Sequence, residues 1–372
     1  MKINYIIIPA AFIVVVVLLI SANLRVKNPY GLSNGTPDIK SVSGLAFGPD
    51  GILFIGDSKN AAIVAIDTKD KTAAESGKDV EIKNIDQKIA AILGTEAKNV
   101  SILDLAVNPV SRKIYCAVQS MDGAPVLFRI DGEKIEPVSL KNVDFSNTTI
   151  TNAPEIDAKD QRGRSLRVWA ISDIVYADGS VMVSGISNQE FSSTFRKIPF
   201  PFRDKQEHAS LEIFHAAHGK YETNSPIKTF TTAELNGKKY LVASYTCTPL
   251  VLFPLEELKA GKHVKGRTVA EFGAGNSPID LLSFKKGDES FLIMANSSRP
   301  VMRVKYSSIE EFEGSLTEPI AESYGTAGVD FVTLPVVNVQ QMDILDNSRM
   351  LVLQRKGNGD LDLYTASTER WF

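Results

Sequence analysis

The chain has 372 residues, 44% of them hydrophobic and 23% charged, with 41 Lys and Arg against 44 Asp and Glu and a formal net charge of −3. This is ordinary globular composition, which excludes a disordered or collagen-like chain, and the absence of a basic stripe argues against a nucleic-acid partner. The two Cys, Cys116 and Cys247, lie in no CxxC or CxxCH pattern, which argues against attached haem or a zinc knuckle.

Residues 3–20, INYIIIPAAFIVVVVLLI, form a nearly unbroken apolar run behind Lys2. Its length lies between a signal-peptide core and a short membrane span. Ser21-Ala22-Asn23 makes a poor cleavage site, and no Cys follows to take a lipid. The run therefore reads as an uncleaved signal anchor, with a removed signal peptide as the alternative. Lys2 favours a cytoplasmic N-terminus, although Arg25 and Lys27 lie beyond the run. Residues 1–24 are assigned to the anchor or signal peptide, 25–40 to a linker or closing strand, and 41–372 to the body. That body is expected on the exported side of a membrane, periplasmic or extracellular, with the membrane as a partner through residues 3–20.

Beyond residue 40 one pattern recurs. Residues 43–57 read SGLAFGPDGILFIGD, 102–118 ILDLAVNPVSRKIYCAV, 171–185 ISDIVYADGSVMVSG, and 278–295 PIDLLSFKKGDESFLIMA. Each is an apolar strand, a polar turn and a second apolar strand ending in small residues. Residues 227–246 and 339–354 add two more copies. Two hairpin strands per repeat predict β-propeller blades. Six are recognisable, and residues 316–334 leave room for a degenerate seventh. Third strands follow, including PVLFRI (125–130), TFRKIPF (194–200), PLVLFPL (249–255) and PVMRVKY (300–306). Short acidic helices are expected at LEEL (255–258) and SIEEF (308–312). A further helix is expected over 84–94, capped by Asn84 or Asp86 and ended by Gly94. Cys116 falls inside a strand pattern and reads as a small buried apolar residue; a disulfide to Cys247 is the alternative. The fold class is all-β, a six-bladed or seven-bladed propeller.

The first unit resembles NHL-type and YVTN-type propeller repeats, and the six-blade count resembles the gluconolactonase and paraoxonase superfamily. FHAAHGKYET together with SYTCTPLVLFP resembles a group of exported bacterial propellers. The resemblance implies the fold over most of the chain after residue 40. In the superfamily it implies one cation held by Glu, Asn and Asp at the starts of inner strands. Blade 1 has Gly44 where such a Glu would stand.

Propeller geometry gathers the starts of the inner strands, the loops between second and third strands, and the connections between blades on one face, the usual ligand face. Asp104, Asp173 and Asp280 are thereby expected to ring the channel mouth. Several carboxylates there need a cation, shared protons or Arg partners, for which Arg167, Arg196 and Arg299 are available. A hard cation such as calcium suits oxygen ligands. A purely structural role, bonding amides of the neighbouring blade, is the competing reading. The loops add Asn188, Glu190, Cys247, Asn296 and Arg299 as candidate ligand-binding residues. His215 and His218, in HxxH spacing, are candidate catalytic or metal-ligating groups. With Glu222 or Cys247 they have the donors for zinc or copper.

Three functions fit these residues. The first is a membrane-anchored, exported binding or scaffolding module of the cell envelope, with a small molecule or another envelope protein at the channel mouth. The second is a metal-dependent hydrolase of the lactonase or esterase kind, in which a cation polarises a carbonyl and His215 or His218 moves the proton. The third is a metal-linked redox protein.

Overall fold

The computed structural model describes residues 29–370 except 122, 124, 204, 205 and 207; the apolar run at 3–20, and the anchor expected there, lie outside the described residues. Among the described residues no helix is long and apolar enough to cross a membrane.

Among the described residues six sheets, antiparallel except where His263–Lys265 runs parallel to Ala209–His215, make six blades. Numbered by chain order, their innermost strands are Gly44–Phe47, Val100–Val107, Asp173–Ala177, Thr229–Leu235, Pro278–Lys286 and Val339–Asp346. The inner strands touch in the ring order 1-2-6-5-4-3 and back to 1. Ring order is therefore not chain order: blade 2 is inserted between the first blade and the last.

The chain stitches that insertion on both sides. After the third strand of blade 1 (Ala62–Asp67), residues Glu81–Ile82 become the outermost strand of blade 6, pairing with Leu361–Ser367. The chain then builds blade 2 and returns to blade 1, where Val143–Thr149 pairs with Ala62–Asp67. Ser33–Gly35, in the segment read as a linker or closing strand, adds a further strand outside Val143–Thr149.

The energetics follow from strand alternation. Successive side chains in a strand point to opposite faces, so each blade feeds two seams. In blade 2, Ile114, Cys116 and Val118 pack with Leu351, Leu353 and Leu363 of blade 6. Between them, Tyr115 and Ala117 pack with Leu53 and Ile55 of blade 1. In blade 5, Phe291, Ile293 and Ala295 face blade 6, while Leu292 and Met294 face blade 4. Six apolar clusters result, one for each contact in the ring. This is why the second strands read as unbroken apolar runs: they are buried on both faces.

The expected helix over 84–94 forms as α1, Ile85–Leu93, and Gly94 ends it in the left-handed region at φ 70°. Asn84 is itself left-handed and its side chain makes no cap bond, whereas Asp86 Oδ1 accepts the first-turn N–H of Gln87 at 3.0 Å. Ile85 and Ile89 enter the seam between blades 2 and 6. SIEEF also forms a helix, α2, Tyr306–Glu311. LEEL does not: residues 255–257 are a turn, where Leu255 N–H donates to Lys239 O at 3.0 Å and Glu257 N–H to Pro254 O at 3.0 Å. Residues 316–334 do not build a seventh blade either. Ala327–Gly328 joins the edge of blade 4 and Val332–Thr333 the edge of blade 5. Cys116 is buried, and both Cys are free thiols.

Candidate functional site

Asp104, Asp173 and Asp280 lie at equivalent places on inner strands and line one central channel of about 410 Å³. A fourth aspartate, Asp343 of blade 6, joins them. All four use their oxygens in the same way. One oxygen accepts the N–H of the next residue: Leu105, Ile174, Leu281 or Ile344, at 2.7–2.9 Å. The other accepts an N–H from the neighbouring blade. Leu45 donates to Asp104 at 2.7 Å, Val107 to Asp343 at 2.6 Å, Met342 to Asp280 at 2.8 Å, and Phe230 to Asp173 at 2.9 Å. The aspartates are thus latches between blades, all pointing the same way around the ring.

Two seams lack a latch, because Gly44 and Thr229 stand at the equivalent places in blades 1 and 4. The seam between blades 1 and 3 is closed otherwise. A Cβ on Gly56 would lie 2.9 Å from Ile171 Cγ2, and one on Gly44 would lie 3.2 Å from Ile174 Cγ1, so the blades meet on bare backbone. Ser58 Oγ donates to Ile171 O at 2.9 Å and accepts from Ile171 N–H at 3.1 Å. Arg167 donates to the carbonyls of Ser58 at 2.8 Å, Lys59 at 3.1 Å and Pro154 at 2.6 Å.

Burial in the channel pushes the latch carboxyls up: Asp104 to about 8, Asp173 to about 7 and Asp343 to about 6. Asp280 is raised by burial and then by the charge of Asp104. The amide bonds oppose these shifts without cancelling them.

The arginines considered as carboxylate partners go elsewhere. Arg167 clamps carbonyls, as above. Arg196 is buried and donates to Thr194 Oγ1 at 3.1 Å and Thr151 O at 2.8 Å. Arg299 covers Gly273 and donates to Tyr324 O at 3.1 Å. Of the candidate loop residues, Asn296 is buried and donates to Met294 O and Pro300 O, which holds its own turn together. Asn188 and Glu190 are exposed on the 187–192 loop of blade 3.

The residues the fold does bring together are His215, His218, Glu222 and Cys247. His215 ends the strand Ala209–His215, the fourth strand of blade 3. That strand pairs with its own blade only at Ser210 and Ala209. It then runs beside blade 4, where Thr268 Oγ1 donates to Phe214 O at 2.7 Å. A four-residue turn returns the chain as Lys220–Glu222, pairing with Ile213–His215. The HxxH spacing spans this hairpin rather than a helical turn. Cys247 comes from the loop between the second and third strands of blade 4. Cys247 and Thr248 are consecutive left-handed residues, at φ 69° and 64°, a backbone that side chains other than Gly rarely adopt. Cys247 N–H donates to Asn276 O at 2.8 Å, and Thr248 Oγ1 donates to Cys247 O and Gly273 O.

Glu222 bridges the two imidazoles. One of its oxygens lies 3.0 Å from His215 Nδ1 and the other 2.7 Å from His218 Nδ1. The rings pack against each other at 3.8 Å between centroids, tilted by 40°. His218 Nε2 is 3.8 Å from Cys247 Sγ. Glu271, at the end of the outer strand Arg267–Glu271 of blade 4, closes the back of the cluster. It is fully buried, and one of its oxygens accepts from Ala216 N–H at 3.1 Å. Its other oxygen faces His215 Nε2 at 3.3 Å, an ion pair when the imidazole is protonated. Burial alone would lower His215, but the Glu222 and Glu271 carboxylates outweigh it and raise the imidazole to about 9. Burial would likewise raise Glu222, and the two histidines hold it down at about 2.

Reasoning from the residues missed Asp343 and Glu271. Asp343 carries a readable signal: like the other three latches, it precedes Leu or Ile at the start of an apolar repeat. Glu271 carries none, since a glutamate ending one strand gives no hint of a histidine 56 residues earlier.

No family model matches the chain, and a search of curated proteins finds no match. Among solved structures it is similar to a Thermus thermophilus protein described as an oxidoreductase (glucose dehydrogenase), at TM-score 0.37 and 11% identity over 90% of this chain and 100% of that one. It is also similar to the PQQ-bound aldose sugar dehydrogenase of Streptomyces coelicolor, at TM-score 0.29 and 12% identity over 91% and 99% of the two chains. The WD40 propeller domain of Doa1 gives TM-score 0.33 and 10% identity over 92% and 99%. At these scores the likenesses assign neither fold nor activity to this chain.

Proposed function

We propose that the protein is an exported β-propeller, anchored in a membrane by residues 3–20, that acts as a binding or scaffolding module of the cell envelope. The observation that carries this reading is the use of the channel carboxylates. Asp104, Asp173, Asp280 and Asp343 each give one oxygen to their own strand and one to the next blade. Groups spent on holding blades together are poorly placed to cage a cation, which weighs against hydrolysis at the channel mouth. What remains for contacts is the loop face, including Asn188 and Glu190, beside the His215–Cys247 corner. Binding there requires no change in the ring, because loops on a rigid scaffold supply the contacts.

The test uses the full chain with a reporter at its C-terminus. The reading expects the protein in the membrane fraction, with the reporter on the exported side. It also expects a defined partner or ligand cross-linked to the 187–192 loop. A cytoplasmic reporter, or soluble protein after fractionation, would overturn the anchored export.

A further inference from the structure

We propose that His215 Nε2, His218 Nε2 and Cys247 Sγ form a zinc site with an open fourth position at the corner between blades 3 and 4. Three independent features converge on it. The donor atoms of these three residues lie within 4.8 Å of one another. In a tetrahedral zinc site, bond lengths of about 2.0–2.1 Å to nitrogen and about 2.3 Å to sulfur place neighbouring donors roughly 3.3–3.6 Å apart. The observed 3.8 Å between His218 Nε2 and Cys247 Sγ needs a closure of only a few tenths of an ångström.

The second feature is the orientation of the rings. A metal-ligating histidine usually offers its other ring nitrogen to a carboxylate, which fixes both tautomer and direction. Glu222 does this for both histidines at once, holding each by Nδ1. Metal binding displaces the Nε2 proton of His215, and with the protons held on Nδ1 both rings then present an Nε2 lone pair.

The third feature is the charge around the donors. His215 is 2% exposed and Glu271 is 0% exposed, and His215 Nε2 and Glu271 Oε1 face each other at 3.3 Å as a buried ion pair. A divalent ion on Nε2 would take the place of the imidazolium proton opposite Glu271, and a water on its open position would give Glu271 Oε1 a donor. Glu222, Glu271 and a Cys247 thiolate would supply three negative charges against the two of the ion, and His218, exposed at 42%, leaves the site reachable from solvent. A borderline N₂S donor set suits zinc, whereas calcium prefers oxygen.

The site is independent of the anchored-binding reading, and so is its test. Full-length protein in detergent is stripped with chelator and titrated with Co²⁺, followed by Zn²⁺ competition. The proposal expects one Co²⁺ per chain, a near-ultraviolet thiolate-to-cobalt charge-transfer band, and displacement of Co²⁺ by Zn²⁺. Cys247→Ser, in a partly exposed loop, is expected to abolish the band and weaken binding about tenfold or more, with the circular dichroism unchanged. Glu222→Gln keeps all three ligands and is expected to weaken binding about 10–100-fold. Failure to take up stoichiometric Co²⁺, uptake with no charge-transfer band, or unchanged affinity in Cys247→Ser would each overturn the site. In that case His215 is a buried imidazolium between two carboxylates and nothing more.

Discussion

Asp343 of blade 6 accepts the backbone N–H of Val107 of blade 2 at 2.6 Å, joining residues 236 positions apart in the chain. This bond crosses the seam where chain order and ring order part. Blade 2 has no covalent neighbour on that side except the thin stitch through Glu81–Ile82, so the seam depends on non-covalent contacts.

Replacing Asp343 with Ala should therefore destabilise the ring. Two amides, Val107 N–H and Ile344 N–H, lose their acceptor. An amide left unsatisfied in a buried place costs about 1–3 kcal/mol, so a loss of about 2–6 kcal/mol is expected for the two. Asp343→Asn keeps one carbonyl oxygen and should fall between Ala and the wild type. Chemical denaturation followed by tryptophan fluorescence would measure this. A midpoint unchanged in Asp343→Ala would show that the apolar seam alone holds blade 2.

How much of this was legible in the sequence differs from feature to feature. The blades were legible because a strand buried on both faces must be apolar throughout, as in ILFIGD and FLIMA. The ring order was not. Glu81–Ile82 is a two-residue strand whose partner lies some 280 residues away, and nothing local marks it. The aspartates were legible as a set, but not their role: the same carboxylate suits a cation or an amide, and only the neighbouring blade decides. His215, His218 and Glu222 were legible as a cluster, since a tight hairpin keeps them within eight residues. That the ring turns Cys247 toward them depends on the packing of blade 3 against blade 4.

The latch carboxyls also predict how stability depends on pH. Their folded values, about 6 for Asp343, 7 for Asp173 and 8 for Asp104, lie above the ordinary 3.8. Between those limits the folded protein binds more protons than the unfolded chain, so stability falls as pH rises. The contribution is fully present below pH 3.8 and is lost through pH 6–8. His215, raised from 6.5 to about 9, acts in the same direction above pH 6.5. Glu222, held at about 2, loses its contribution only below its ordinary 4.5. Denaturation midpoints should therefore be higher at pH 5 than at pH 8.5. Asp104→Asn should flatten the slope between pH 4 and 8. A midpoint that climbs steadily toward pH 8.5 would contradict the assignment.

The seam between blades 1 and 3 tests a different mechanism. Gly56→Ala would set a Cβ 2.9 Å from Ile171 Cγ2, closer than real Cβ contacts allow. Overpacking of this sort destabilises by about 1–3 kcal/mol. Arg167→Ala removes donors to three carbonyls at the same seam and should cost a similar amount, since bonds from a charged group are worth about 1.5–3 kcal/mol. Because both act on one contact, the double variant should lose less than the sum of the two. Strict additivity would mean that the glycine and the arginine hold separate structures.

The two thiols should differ sharply in reactivity. Cys116 is buried between blades 2 and 6, and burial raises its thiol well above the usual range. Cys247 is partly exposed, on a left-handed loop beside His218. Thiolate access governs such reactions, so a disulfide reagent should titrate one thiol in the native, chelator-stripped protein and two after unfolding. Cys247→Ser should remove the native reaction, and Cys116→Ser should leave it unchanged. Cys116→Ser should also lower the denaturation midpoint, because a hydroxyl would be left unpaired in the apolar seam with Val118 and Phe128. Equal labelling of both thiols under native conditions would mean that the seam between blades 2 and 6 opens readily, which is also where the chain's stitching is thinnest.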